Sequence, residues 1–147
     1  MRALVWLIFV SSVCFAQELK VRVINGKDGQ PLPKQAVTVQ FLNDRPVTAS
    51  SPLRLETDPN GEVRFGIPKP LPEHLNVRVA LTSEYWHCGC WVMADTAKVV
   101  QEGITQPALS KGAKANDVPA KTEPGEILII ARPFTFGERL LYPFVKQ

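Results

Sequence analysis

From residue 19 onward, apolar and charged or polar residues alternate along most of the chain. Leu19-Lys20-Val21-Arg22-Val23-Ile24, Ala36-Val37-Thr38-Val39-Gln40-Phe41, Leu53-Arg54-Leu55-Glu56-Thr57, Glu62-Val63-Arg64-Phe65-Gly66-Ile67 and Leu75-Asn76-Val77-Arg78-Val79-Ala80-Leu81 all carry the pattern. Side chains on a strand point to opposite faces in turn, so a period of two predicts strands with one core face and one wet face. Glu126-Ile127-Leu128-Ile129-Ile130-Ala131-Arg132 is the most apolar run, which places it at the centre of a sheet. Turn clusters separate the runs: Asn25 to Pro31, Asp58-Pro59-Asn60-Gly61, and Pro68 to Pro72. In the second cluster Pro presets one dihedral and Gly tolerates positive φ, so the flanking runs are expected to return on each other as a hairpin. Asp95–Gly103 breaks the pattern and reads as a short helix, with Asp95 accepting from free amides at its start and Gly103 stopping it. Gln106 to Gly125 has no period and few large apolar residues, so it reads as a long loop. The expected architecture is all-β: an antiparallel β-sandwich of about seven strands, with one short helix and a long loop inserted over residues 85–125 before the last strand.

The first residues follow another logic. Arg2 supplies a positive charge, Ala3 to Val10 is an almost unbroken apolar run, and Cys14 and Ala16 are small residues two apart. Together they predict a signal peptide over residues 1–16, cleaved before Gln17. The apolar run is short of the about 20 residues that a spanning helix needs, which disfavours an uncleaved anchor. Val13 is bulkier than the small residue that precedes a lipid-attached cysteine, which disfavours a lipoprotein at Cys14. The expected mature chain is exported, to the periplasm, the cell surface or the medium, and has no transmembrane span. Residues 17–133 form the sandwich domain and residues 134–147 an aromatic C-terminal tail. With 147 residues in all, there is material for one domain. A net charge of +3 from scattered Lys and Arg lacks the dense basic stripe of a nucleic-acid binder, so no nucleic acid is expected as a partner.

Several of these residues carry a resemblance. Val21 and Val23, then Asp28-Gly29-Gln30-Pro31-Leu32, then Ala36-Val37-Thr38-Val39, then Thr57-Asp58-Pro59-Asn60-Gly61-Glu62-Val63-Arg64-Phe65 resemble the carboxypeptidase regulatory-like domains of the transthyretin-like and Cna-B-type group. The match covers Leu19 to Leu81, with Ile127 to Ala131 as the last strand. It implies an immunoglobulin-like or prealbumin-like sandwich. It does not imply one function, because such domains serve as stalks, adhesion modules and enzyme appendages. The segment from Tyr85 to Gly103 and the tail after Pro133 lie outside it.

Candidate chemistry collects in those two places. In Tyr85-Trp86-His87-Cys88-Gly89-Cys90-Trp91, the thiols of Cys88 and Cys90 beside the His87 imidazole are candidate ligands for a soft metal such as Cu(I) or Zn(II), with His74 the only other histidine to complete the set. The same two cysteines are alternatively a local disulfide, an intermolecular disulfide or reduced structural thiols, and an exported chain favours pairing. Phe134, Phe136, Leu140, Leu141, Tyr142 and Phe144 give the tail an apolar character that either covers one end of the sandwich or docks on a protein partner or membrane surface. Catalytic motifs do not emerge. There is no Gly-x-Ser-x-Gly elbow and no phosphate loop, and the chain ends without the Tyr-Arg-Gly-Ser motif of a transthyretin-like hydrolase. The two tyrosines and two histidines are not spaced as in an iron dioxygenase. The sequence thus reads as an exported, non-catalytic module for interaction or structural support at the cell envelope, with no cofactor. The alternative is a metal-binding or redox module using His87, Cys88 and Cys90.

Overall fold

The computed structural model describes residues 17–45, 47–81, 86–88, 90–107 and 121–145. The expected signal peptide lies outside them. The alternating runs form β1 (Glu18–Asn25), β2 (Ala36–Asp44), β4 (Leu53–Glu56), β5 (Glu62–Gly66) and β6 (His74–Ala80). A short strand β3 (Val47–Ala49) follows β2. Beyond β6 come β7 (Trp86–Cys88), β8 (Trp91–Asp95), helix α1 (Thr96–Glu102), β9 (Ile104–Gln106), β10 (Glu126–Pro133) and helix α2 (Phe136–Val145).

These strands make two sheets. The first has the order β5-β1-β10-β7, with β9 also on β10; the second has the order β3-β2-β6-β8, with β4 also on β2. Alternation does what it predicts: Leu19, Val21, Val23, Val37, Val39, Leu75, Val77 and Val79 are buried between the sheets, joined by Ile127, Ile129 and Val92. Phe41 and Phe65 meet from opposite sheets with ring centroids 6.2 Å apart. Each such side chain contributes about 1.5–3 kcal/mol on burial, which makes this seam the main source of stability. Strand β10 is internal, between β1 on one side and β9 and β7 on the other. It is buried on both faces, and Leu128 and Ile130 form a second small apolar cluster with Ile24.

Four expectations need correction. The described residues hold ten strands, not about seven, because β3, β7 and β9 are only three residues long and β8, Trp91-Val92-Met93-Ala94-Asp95, does not alternate apolar and polar residues. The sandwich is not wholly antiparallel: β10 runs parallel to both β1 and β9. The runs flanking Asp58–Gly61 do not pair with each other. Strand β4 pairs with β2 and β5 with β1, so the turn carries the chain from one sheet to the other. Gly61, at φ 70°, lies against the Val23 carbonyl and the Leu32 N–H, with no room for a Cβ, and its own carbonyl accepts from the Val23 N–H at 2.8 Å. Finally, the segment read as an insertion supplies β7 and β9 to one sheet and β8 to the other, and the tail contains a second helix. Of the expected long loop, residues 108–120 lie outside the described ones.

The turn residues have specific partners. The Asp58 carboxylate accepts from the backbone N–H of Asn60 and of Glu62, at 2.8 and 2.9 Å. Buried Thr57 donates its hydroxyl to the Leu32 carbonyl and accepts from the Gln35 N–H, fastening the chain before β2 to the turn. Asp95 caps α1 by accepting from the Lys98 N–H, and Gly103 ends it with its N–H on the Val99 carbonyl.

Candidate functional site

Three places hold chemistry. The first is the outer face of the second sheet. Register places Leu42, His74 and Asp95 in one row, Gln40, Asn76 and Met93 in the next, and Thr38, Arg78 and Trp91 in a third. Trp91 and Met93 are 61% and 58% exposed. The Trp91 indole N–H donates to Asn76 Oδ1 at 2.6 Å, which fixes the ring against the sheet. At the end of this face, His74 Nε2 lies 3.1 Å from Asp44 Oδ2. Glu73, the residue before β6, accepts the Asp44 backbone N–H on Oε2 at 2.9 Å. Its own N–H donates to Asn43 Oδ1 at 3.1 Å, and its carbonyl accepts from the Thr96 N–H at 3.0 Å. The ligand atoms of Asp44, Glu73 and His74 all lie within 4.8 Å of one another. Sequence reading singled out His74 alone, because Asp44 is 30 residues away and only the β2–β6 register brings it close.

The second place is the crossover between the sheets. Cys88 ends β7 in the first sheet, and Cys90 immediately precedes β8 in the second. The two sulfurs are joined in a disulfide, with Cα atoms 4.9 Å apart, and both residues are half-buried against the core. Neither sulfur is then a thiolate, so a soft-metal site there would require that bond to be reduced. His87 stands opposite Arg132 of β10. His74 and His87 belong to strands of different sheets. A bridge across so short a loop removes little freedom from the unfolded chain, about 1.5 kcal/mol at 25 °C against about 3 for a 15-residue loop. Cys88→Ser/Cys90→Ser is therefore expected to stay folded and to lose no more than about 1.5 kcal/mol in urea denaturation. A loss several times larger would show that the bridge holds the crossover in place.

The third place is the C-terminal tail. Thr135 and Glu138 form a reciprocal cap at the start of α2: the Thr135 N–H donates to Glu138 Oε2 at 2.6 Å and the Glu138 N–H to Thr135 Oγ1 at 3.3 Å. Glu138 also accepts from Arg132 of β10 at 2.9 Å, tying the helix to the strand. Phe134 is half-buried beside Lys27, Arg132 and Thr135. Phe136 is 79% exposed and Leu140 59% exposed. Leu141, Tyr142 and Phe144 belong to α2, but their side chains lie outside the described ones. Among the described residues, no helix is long and apolar enough to cross a membrane.

One buried charge was missed by sequence reading. Glu126 opens β10 and is 1% exposed. It accepts from Arg22 Nε at 2.6 Å and from the Glu123 N–H at 3.0 Å, with Lys20 Nζ at 3.3 Å. Burial pushes its carboxyl up, but the bond and charge of Arg22, the Glu123 N–H and Lys20 outweigh burial and hold it below the ordinary glutamate range. Its ionic partners Lys20 and Arg22 stand on the neighbouring strand β1, so alternation alone could not reveal them.

No protein-family model matches this chain, and neither does any curated protein.

Proposed function

We propose that the chain is an exported, non-catalytic module that docks on a protein partner at the cell envelope through its C-terminal helix. In this reading its sandwich is of the immunoglobulin-like or prealbumin-like type, akin to the carboxypeptidase regulatory-like domains. The observation that carries the proposal is the exposure of Phe136 and Leu140 on α2. They are four residues apart and so share a helix face. The helix is held by its cap and by the Arg132–Glu138 pair, so the exposed face has a defined position relative to the sheet. An apolar face of this kind on a fixed helix fits helix-in-groove recognition.

A photo-crosslinking residue at position 136 or 140 of the chain in its native cells tests this. Discrete protein adducts are expected, and Leu140→Asp should abolish those formed from position 136. Adducts with lipid alone, or none at all, would overturn it. The alternative is a metal-binding or redox module at His87, Cys88 and Cys90; the pairing of the two sulfurs at the crossover favours its redox form.

A further inference from the structure

We infer that Asp44, Glu73 and His74 form a binding site for a divalent cation of the Zn²⁺ type. The inference is independent of the docking surface on α2. It starts from the donor set. One imidazole nitrogen and two carboxylates offer mixed N and O ligands carrying two negative charges, which suits a borderline divalent ion rather than a hard or a very soft one. Ligands about 2.0–2.2 Å from a tetrahedral ion stand roughly 3.4 Å apart. His74 Nε2 and Asp44 Oδ2 are already 3.1 Å apart, and the farthest donors of the three are within 4.8 Å. Closing the set requires the Glu73 carboxylate, which accepts the Asp44 N–H on Oε2, to draw in toward the other two donors. The Glu73 backbone does not need to move, because Asn43 and Thr96 hold it from both sides.

The charge balance around the cluster supplies a separate argument. Asp95 stands opposite His74 in register, but its carboxylate caps α1 by accepting from the Lys98 N–H, so the cluster itself holds two carboxylates and one imidazole. Among the described residues, no Lys or Arg side chain lies within ion-pair distance of Asp44, Glu73 or Asp95. The chain as a whole carries +3. Two carboxylates with no Lys or Arg in ion-pair contact, beside a nitrogen donor, are a place where a cation lowers the electrostatic energy. Asp44 and Glu73 are exposed and His74 is half-buried, so an ion enters without unfolding and keeps water in its remaining positions. Bound there, it would tie the end of β2 to the start of β6.

Isothermal titration of Zn²⁺ into the untagged chain tests the site. Saturable binding at one ion per chain is expected. Loss of a ligand should weaken it at least as much as loss of a supporting partner does, roughly 10–100-fold, in His74→Ala and in Asp44→Asn. His87→Ala should leave it unchanged. In thermal melts, Zn²⁺ should raise the midpoint of the wild type and of His87→Ala, but not of His74→Ala. Absence of saturable binding would overturn the proposal, as would binding that survives His74→Ala or disappears with His87→Ala. Asp44→Asn keeps the size and hydrogen-bonding capacity of the side chain, so it separates loss of a ligand from loss of the fold.

Discussion

Gly103→Ala is expected to cost about 3 kcal/mol or more, and to unfold part of the population at growth temperature. The residue adopts φ 72° and ψ 169°, a region that essentially only glycine occupies. Space is as restrictive as the dihedral. A Cβ there would collide with the Glu123 carbonyl oxygen and stand 3.0 Å from both the Glu126 carbonyl oxygen and Thr122 Cβ. Two of these obstacles are backbone, so relief requires the start of β10 to move. Movement there would also strain the Val99 carbonyl, which accepts both the Gly103 and the Gly125 N–H at 2.9 Å. Gly66→Ala is the matched control, because nothing lies within 4 Å of its Cβ position and its φ is ordinary. Urea denaturation of the two variants should show a large fall in midpoint for Gly103→Ala and a change of no more than about 0.5 kcal/mol for Gly66→Ala. Similar midpoints would mean that the junction between α1 and β10 is looser than the packing indicates.

Glu126→Ala is expected to be nearly as damaging, at about 3 kcal/mol. Removing one partner of a buried ionic cluster leaves the others uncompensated, which costs about 3–5 kcal/mol when all are sealed from water. Arg22 and Lys20 keep 32% and 18% of their side chains exposed and recover some hydration, so the lower end applies. The pH dependence follows in sign. The folded state holds the Glu126 carboxyl below its unfolded value. The unfolded chain therefore binds the proton more readily, and the contribution of Glu126 is fully present above the ordinary glutamate range. It is lost as pH falls through that range, from about 4 downward, toward the folded value. Denaturation curves at successive pH values should show the wild type losing stability over that interval more steeply than Glu126→Gln. Parallel losses in the two proteins would assign the acid sensitivity to other carboxylates.

The parts legible in the sequence were those set by local periodicity. Alternation located β1, β2, β4, β5 and β6 and their inward residues, because burying one face of a sheet imposes a period of two. Asp95 and Gly103 marked the ends of α1, because capping is local chemistry. The illegible parts depend on pairing across distance. Ile127 and Val21 are both apolar, yet no local signal says that their strands run parallel. Trp86–Cys88 is three residues long, too short to show a period, and gains its strand geometry from Ala131 to Pro133. The same holds for the sites. Cys88 and Cys90 stood out as neighbours in the chain. The Asp44–Glu73–His74 cluster and the Glu126 network exist only once the register is known. In the tail, the apolar spacing of Phe136 and Leu140 was visible. The exposure of those two side chains is a tertiary property, and the sequence left open whether the tail packs on the domain or projects from it.

The parallel pairing of β1 with β10 also sets a polarity for the whole module. Two antiparallel strands would bring the beginning of one beside the end of the other. Here Lys20 lies beside Glu126 and Asn25 beside Ala131, so both strands start at one pole of the sheet and finish at the other. Whatever precedes Glu18 departs from the near pole, and α2 is mounted beyond Pro133 at the far one. Eight residues of β10, at about 3.3 Å each, separate the two poles by roughly 25 Å. The start of β1 and the base of α2 are held apart by about the length of one strand, and a pull between them would load β1 and β10 in shear, along the row of hydrogen bonds that joins them.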